Sequence, residues 1–310
     1  VFTMNATHAL NQAIHALADE HTYAAISGYE HNSVVRPLEE RNIRYQVLES
    51  GLFDAAGMLA SAKAALEQDV NLFIINHVSN VFGSVAPLEE LDALLYDAGV
   101  PLILDASQSA GVLDICVSKL RSLATVCMPG HKGLLGPQGT GMLLVCSDAL
   151  WRPLMQGGTG SLSQDMRQPA LMPDRFESGT PNVPGIAGLS EGLRFLRRHG
   201  IASVRRKEQE LMRVLAQQLG EVPGLELFHH PTRQVGVLSF RHAAMCSETI
   251  AERLADRKIC VRAGLHCAPL AHRSAGTLQT GTVRISLGAY STVRDISILS
   301  RALHEILDNL

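Results

Sequence analysis

The sequence predicts an α/β protein, with a mostly parallel sheet covered by helices and a smaller α+β domain after it. Three observations carry that expectation. Short apolar runs alternate with amphipathic stretches through the first half, the order that joins parallel strands by helices. Those runs are apolar throughout rather than at every second residue, as in strands buried on both faces. From about Ile186 the order changes to a long helical region, separate strands and a closing helix. This divides the chain into a large domain, 1–185, and a small one, 186–310.

In order, TYAAISGYE, NIRYQVLE, VNLFIINHVS, VPLILDAS and SLATVCMPG read as buried strands. HNSVVRPLEERN, DAAGMLASAKAALEQ and PLEELDALLYDAG, between them, read as helices, with Leu88, Leu91, Leu94 and Leu95 on one face. A glycine-rich turn region, GHKGLLGPQGTG, leads into the strand GMLLVCS. Residues 157–185 are rich in Gly, Pro, Ser and Thr, lack a period, and read as a long loop of the kind that carries function. Val204 to Leu219 reads as a helix capped by Gly220. Strands follow at QVGVLSF, KICVRAG and TVRISLG, then the helix ISILSRALHEIL.

Composition narrows the function. Of 310 residues, 46% are hydrophobic and 18% charged, a globular balance, and the net charge of −3 gives no field that would draw nucleic acid. Arg194, Arg197, Arg198, Arg205, Arg206 and Lys207 are interleaved with Glu191, Glu208 and Glu210, which makes a solvated helix face. No apolar run is long enough for a membrane span. The six cysteines form no CxxC pair, which suits a reducing, cytoplasmic compartment, and Cys127 and Cys146 lie in core-like stretches. The chain opens on VFT, read as the end of a strand, so an N-terminal segment is expected to be missing and a targeting segment upstream stays open.

Ligands of parallel sheets sit beyond the carboxyl ends of the strands. Lys132 lies there, among Gly130, Gly133 and Gly136, where an amine can bond an aldehyde cofactor, although a surface lysine in a turn would look the same. Asp105 ends VPLILD and can pair with a protonated ring nitrogen, or simply cap a helix. Gln108 follows within reach of a ring oxygen. TMNATHAL reads as a strand-to-helix turn, a ready phosphate site. His31 closes the first long strand and could stack on a flat ring. Cys267, in VRAGLHCAPLAH, is flanked by Arg262, His266 and His272, and positive charge favours a thiolate. Cys260, His266 and Cys267 lack the spacing of zinc ligands, so no metal is expected. Arg262 and Arg284 offer forks for an amino-acid carboxylate.

Together with NHVSNVFGSVAPLEEL, RFESGTPNVPGIAGL and TVRISLGAYST, these blocks resemble the class V, fold-type I enzymes that use pyridoxal phosphate (PLP), and among them the cysteine desulfurase and selenocysteine lyase group. The resemblance implies that Lys132 is the Schiff-base lysine, Asp105 pairs with the ring nitrogen, Gln108 meets the ring oxygen and His31 stacks on the ring. Thr7 and His131 would hold the phosphate. Thr180 would reach the cofactor of a partner subunit, implying a homodimer. Asn80, Arg262 and Arg284 would hold L-cysteine, and Cys267 would take its sulfur, leaving alanine and a persulfide for an acceptor protein. The chain departs from the group at Pro129, where some relatives carry serine, and at His8, where an acidic residue is common. Rival readings are a class V aminotransferase, a selenocysteine or cysteine-sulfinate lyase, and an inactive interaction protein derived from the family.

Overall fold

A computed structural model describes residues 1–147 and 152–307. Its first half is a seven-stranded sheet. The strands are β1 (Phe2–Thr3), β2 (Tyr23–Ser27), β3 (Arg44–Leu48), β4 (Leu72–Asn76), β5 (Leu102–Asp105), β6 (Leu123–Pro129) and β7 (Gly141–Val145). They lie in the order β1-β7-β6-β5-β4-β2-β3. Strands β3, β2, β4, β5 and β6 are parallel, and β7 runs antiparallel to both β6 and β1.

Neighbouring residues along these strands enter different cores, because side chains alternate across a sheet. Phe73, Ile75, Leu102 and Leu104 pack beneath α3 (Ala55–Leu66) and α4 (Leu88–Ala98). Leu72, Ile74 and Ile103 pack on the other face with α1 (Ala6–Leu17) and α2 (Asn32–Glu40). Two dry faces explain the uninterrupted apolar runs. On α4, Leu88, Leu91 and Leu95 are buried and Leu94 is half-buried. Asp92, on the same helix, is also buried, where its carboxylate accepts from the Ser122 amide at 2.8 Å and hydroxyl at 2.6 Å.

The second sheet is antiparallel, ordered β10-β11-β9-β8. It comprises β8 (Leu225–Phe228), β9 (Val237–His242), β10 (Arg262–Gly264) and β11 (Thr282–Ser286). Its core holds Leu211, Leu215, Leu238, Phe240, Ile250, Val283, Leu299 and Leu303. These come from the sheet, α6 (Ile201–Gly220), α7 (Ser247–Asp256) and α9 (Val293–Leu307). The remaining helices are α5 (Val183–His199) and the short α8 (Pro269–Ser274). Leu189 and Leu196 of α5 belong to the core of the large sheet.

Five local expectations need correction. Glu208, expected on a solvated helix face, is buried on α6. Gly220 does not cap α6; it is the last helical residue, and Glu221 follows in a right-handed conformation. The run KICVRAG forms only the three-residue β10, because the chain leaves the sheet edge before Arg262. Strand β8 and helix α7 were not expected: LELF is short and half exposed, and SETIAERLAD has few apolar positions. Cys146 is half-buried, whereas Cys127 is fully enclosed. Between Arg152 and Asn182 there is no helix or strand, and α5 then starts under a side-chain cap from Asn182 to the Gly185 amide at 3.1 Å.

Candidate active site

A cavity of about 180 Å³ opens beyond the carboxyl ends of β4, β5 and β6. Seven expected residues line it: Thr7, His31, Asn80, Asp105, Gln108, His131 and Lys132. Sheet register sets the pairing of its floor. Asn76 ends β4 directly beside Asp105, which ends β5. The Asp105 carboxylate accepts from the Ser107 amide at 2.9 Å, which fixes its rotamer.

Lys132 follows β6 in a tight turn and faces the cavity. Its side chain is solvent-exposed within the open cavity, with protein close around it. Its pKa is lowered, first by burial; Asp105 opposes the shift, and Arg284 and Arg262 add to it. A lowered lysine pKa enlarges the share of neutral, nucleophilic amine. The neighbouring His131 is also lowered, by burial and then by Lys132.

His31 is the N-cap of α2. Its Nδ1 accepts from the Ser33 amide at 3.0 Å, which assigns the neutral proton to Nε2. Burial lowers its pKa, with the charge of Asp105 opposing. The Ser33 hydroxyl lies 2.8 Å from His31 Nδ1 and 2.7 Å from the Thr7 hydroxyl. One side chain therefore ties the ring of His31 to the first turn of α1. That turn is capped by Asn5, whose side chain accepts from the His8 amide at 2.9 Å, and it carries no acidic residue. Asn5, expected only as a candidate helix cap, also lines the cavity, as do Ser33, Asn76 and Ser107, which sequence reasoning missed. Only the last two had a signal, at or just after the end of an apolar run.

Apart from Asn80, the substrate-side residues lie elsewhere. Arg284 lines an adjoining cavity of about 310 Å³ that shares Lys132 and Gln108. Its Nη1 donates to the Asn80 carbonyl at 2.8 Å, and Asn80 Nδ2 donates to the His266 carbonyl at 2.8 Å. Asn80 Oδ1 and Arg284 Nε are buried without partners among the described residues. Cys267 is exposed, in a left-handed conformation with φ of 58°, and its carbonyl accepts from the Asn32 amide at 2.8 Å. Arg262 Nη2 lies 3.7 Å from its Sγ. Neither Arg262 nor Cys267 lines the main cavity. Thr180 is also outside it, exposed in a separate pocket of about 340 Å³ with Phe2, Met4 and His8. Among the described residues, no group of three or more His, Cys, Asp or Glu is placed to hold a metal ion.

A parallel sheet with a lysine and an aspartate at adjacent strand ends defines a class. The chain belongs to the class-V aminotransferase family, whose pattern matches residues 1–299. Its relatives narrow that class to the cysteine desulfurases. A probable cysteine desulfurase of Methanothermobacter thermautotrophicus is 31% identical over 318 residues, covering 99% of this chain and 78% of the relative. Another, of Pyrococcus abyssi, is 30% identical over 331 residues, covering 100% and 79%. The apo structure of a cysteine desulfurase from Thermococcus onnurineus NA1 superposes with a TM-score of 0.89 at 28% identity, over 100% of this chain and 79% of that one. The cysteine desulfurase CsdA of Escherichia coli, 24% identical with a TM-score of 0.88, shares the fold. The family uses pyridoxal phosphate.

The residues present fit that cofactor. The start of α1 suits a phosphate, since first-turn amides have no helical acceptor. Asp105, buried yet lining the cavity, suits a protonated ring nitrogen, and Lys132 suits the aldehyde.

Proposed function

We propose that the chain removes sulfur from L-cysteine, giving alanine and a persulfide on Cys267. The observation that carries this reading is an exposed thiol, beside Arg262, on the loop that also buttresses Asn80 over the lysine–aspartate cavity. A transaminase has no use for such a thiol.

Thr7 and His131 would hold the phosphate of pyridoxal phosphate, Asp105 its ring nitrogen, Gln108 its ring oxygen, and His31 one face of the ring. When bound, the cofactor supplies a sink for the electron pair left as the substrate loses its α-proton. Arg284 and Asn80 hold and orient the substrate carboxylate. Lys132, whose pKa is lowered, takes the α-proton and can return one to the product. The thiolate of Cys267 attacks the substrate sulfur, so one S–S bond forms as the carbon–sulfur bond breaks. The loop holding Cys267 closes over the site for that step.

We also infer a homodimer in which Thr180 meets the partner's cofactor. In support, Met4, Leu162, Met166, Leu171 and Val183 are exposed apolar residues near or within the 157–185 segment, and Met166 is 99% exposed. Exposed apolar side chains gathered in one segment suit an interface. A division into a large and a small domain near residues 185/186 is supported by two sheets, although α5 packs on the large sheet through Leu189 and Leu196. Six cysteines that all remain thiols fit a reducing, cytoplasmic compartment, and a persulfide on the exposed Cys267 would be open to an acceptor protein of sulfur metabolism.

The test is a sulfide and alanine assay with cysteine, pyridoxal phosphate and a reductant. The parent should form both products in equal amounts. Cys267→Ala should bind cofactor yet release no sulfide, and Lys132→Ala should lose both products. Desulfuration by Cys267→Ala at the parent rate would refute the reading.

A further inference from the structure

Glu30 is fully buried, yet nothing said so far uses it. The ladder between β2 and β4 ends at the pair Ile26–Ile74, because the chain turns away from the sheet after Ser27. The Asn76 amide, two residues further along β4, is thereby left without a β2 partner. The side chain of Glu30 supplies one. Its Oε1 accepts from the Asn76 amide at 2.7 Å and from the Ser27 hydroxyl at 2.6 Å. Asn76 answers by donating Nδ2 to the Tyr29 carbonyl at 2.5 Å. The carboxyl therefore closes a cut in the sheet under the cavity floor. Asn76 is the register partner of Asp105, and His31 is the residue after Glu30.

We propose that Glu30 is a positioning residue that acts as a neutral acid, holding Asp105 and His31 in the geometry that seats pyridoxal phosphate. The proposal rests on the cofactor reading above. Its Oε2 has no hydrogen-bond partner among the described residues, so an ionised carboxylate would be met by neutral donors on one oxygen only and by no cation among them. Burial raises the Glu30 pKa to about 8, against the hydrogen bonds of Ser27 and Asn76, and the charge of Asp105 adds to the rise. The cofactor's ring nitrogen calls for a charge on Asp105, which a neutral Glu30 leaves undisturbed.

A neutral acid can be replaced by its amide but not by a shorter acid. Cofactor dissociation constants and the visible circular dichroism of bound cofactor would be measured for Glu30→Gln, Glu30→Asp, Glu30→Ala and Ser27→Ala, at equal folded fraction. Glu30→Ala and Glu30→Asp should bind pyridoxal phosphate about tenfold more weakly or worse, with a diminished dichroic band. Glu30→Gln should restore affinity to within about threefold of the parent, since its amide oxygen keeps both contacts. Should Glu30→Ala not fold, Ser27→Ala decides, because it removes one donor to Oε1 and should weaken binding in the same direction. Parent-like binding by Glu30→Ala, or by Ser27→Ala in its place, overturns the proposal; so does damage by Gln equal to that by Ala. A parent that binds no pyridoxal phosphate would instead overturn the desulfurase reading itself.

Discussion

Arg262 and Arg284 stand directly opposite each other across the antiparallel pair β10–β11. Like charges in that relation repel, so the pairing costs stability unless an anion sits between them. Arg284 bears the larger burden. Burial lowers its pKa first, the charge of Arg262 lowers it further, and Cys267 opposes. Under the proposed function, the two cations would form a fork for a guest carboxylate, with the thiol beside it.

Replacing Arg284 should weaken substrate more than chemistry. Its Nη1 is used on the Asn80 carbonyl, and its side chain lines the cavity shared with Lys132, where the rest of the guanidinium can meet a carboxylate. Arg284→Lys keeps the charge and loses the fork. The KM for cysteine should rise by about tenfold or more, with cofactor affinity little changed. Steady-state kinetics read this, and an unchanged KM would remove Arg284 from substrate binding.

Arg262 acts at the other end. With its Nη2 3.7 Å from the Cys267 sulfur, it is placed to steer the thiol as well as a substrate carboxylate. Arg262→Ala should slow sulfide release by about tenfold or more while the visible spectrum of bound cofactor stays that of the parent. Single-turnover persulfide formation on Cys267, followed by mass spectrometry, separates this step from acceptor turnover.

The sequence revealed the large domain better than the small one for a physical reason. Strands such as Leu72–Asn76 are dry on both faces and so read as uninterrupted apolar runs. Strand β8 and the three-residue β10 are short, partly exposed and held by their neighbours, so neither leaves a period to detect. The cavity was legible where its side chains end apolar runs, as Asp105 does. Ser33 was not legible: its use depends on His31 acting as a helix cap and on α1 lying beside α2, which are tertiary facts. The Glu30 contact with Asn76 spans 46 residues and was equally hidden.

Two glycines set the distance between the Gln108 turn and the Lys132 turn. Gly111 has φ of 85°, and a Cβ there would lie 2.2 Å from the Gly133 carbonyl oxygen. A Cβ on Gly133 would lie 2.3 Å from the Ala110 carbonyl oxygen. Both obstacles are backbone, so relief requires the two turns to separate. Gly111→Ala should cost about 2 kcal/mol or more in urea unfolding, from positive φ and overlap together. It should also weaken cofactor binding, because Gln108 and Lys132 move apart. A stable variant with parental affinity would show that the turns have slack.

Glu208 tests the electrostatics of the second cavity without touching the reaction. It is 4% exposed on α6, lines the cavity that Arg284 also lines, and its Oε2 has no partner among the described residues. Burial raises its pKa from 4.5 to about 7. Because the folded value exceeds the unfolded one, its contribution to stability is complete below pH 4.5 and is lost as pH rises to about 7. The whole loss is on the order of 3 kcal/mol. Glutamine has the same shape and cannot ionise. Glu208→Gln should therefore gain on the parent as pH rises, by on the order of 3 kcal/mol between pH 4.5 and pH 8, whatever its absolute stability. Urea unfolding of both proteins across that range reads the difference directly. A gap that stays constant with pH would mean that the carboxyl ionises normally in the folded chain, through water or a cation reaching the cavity.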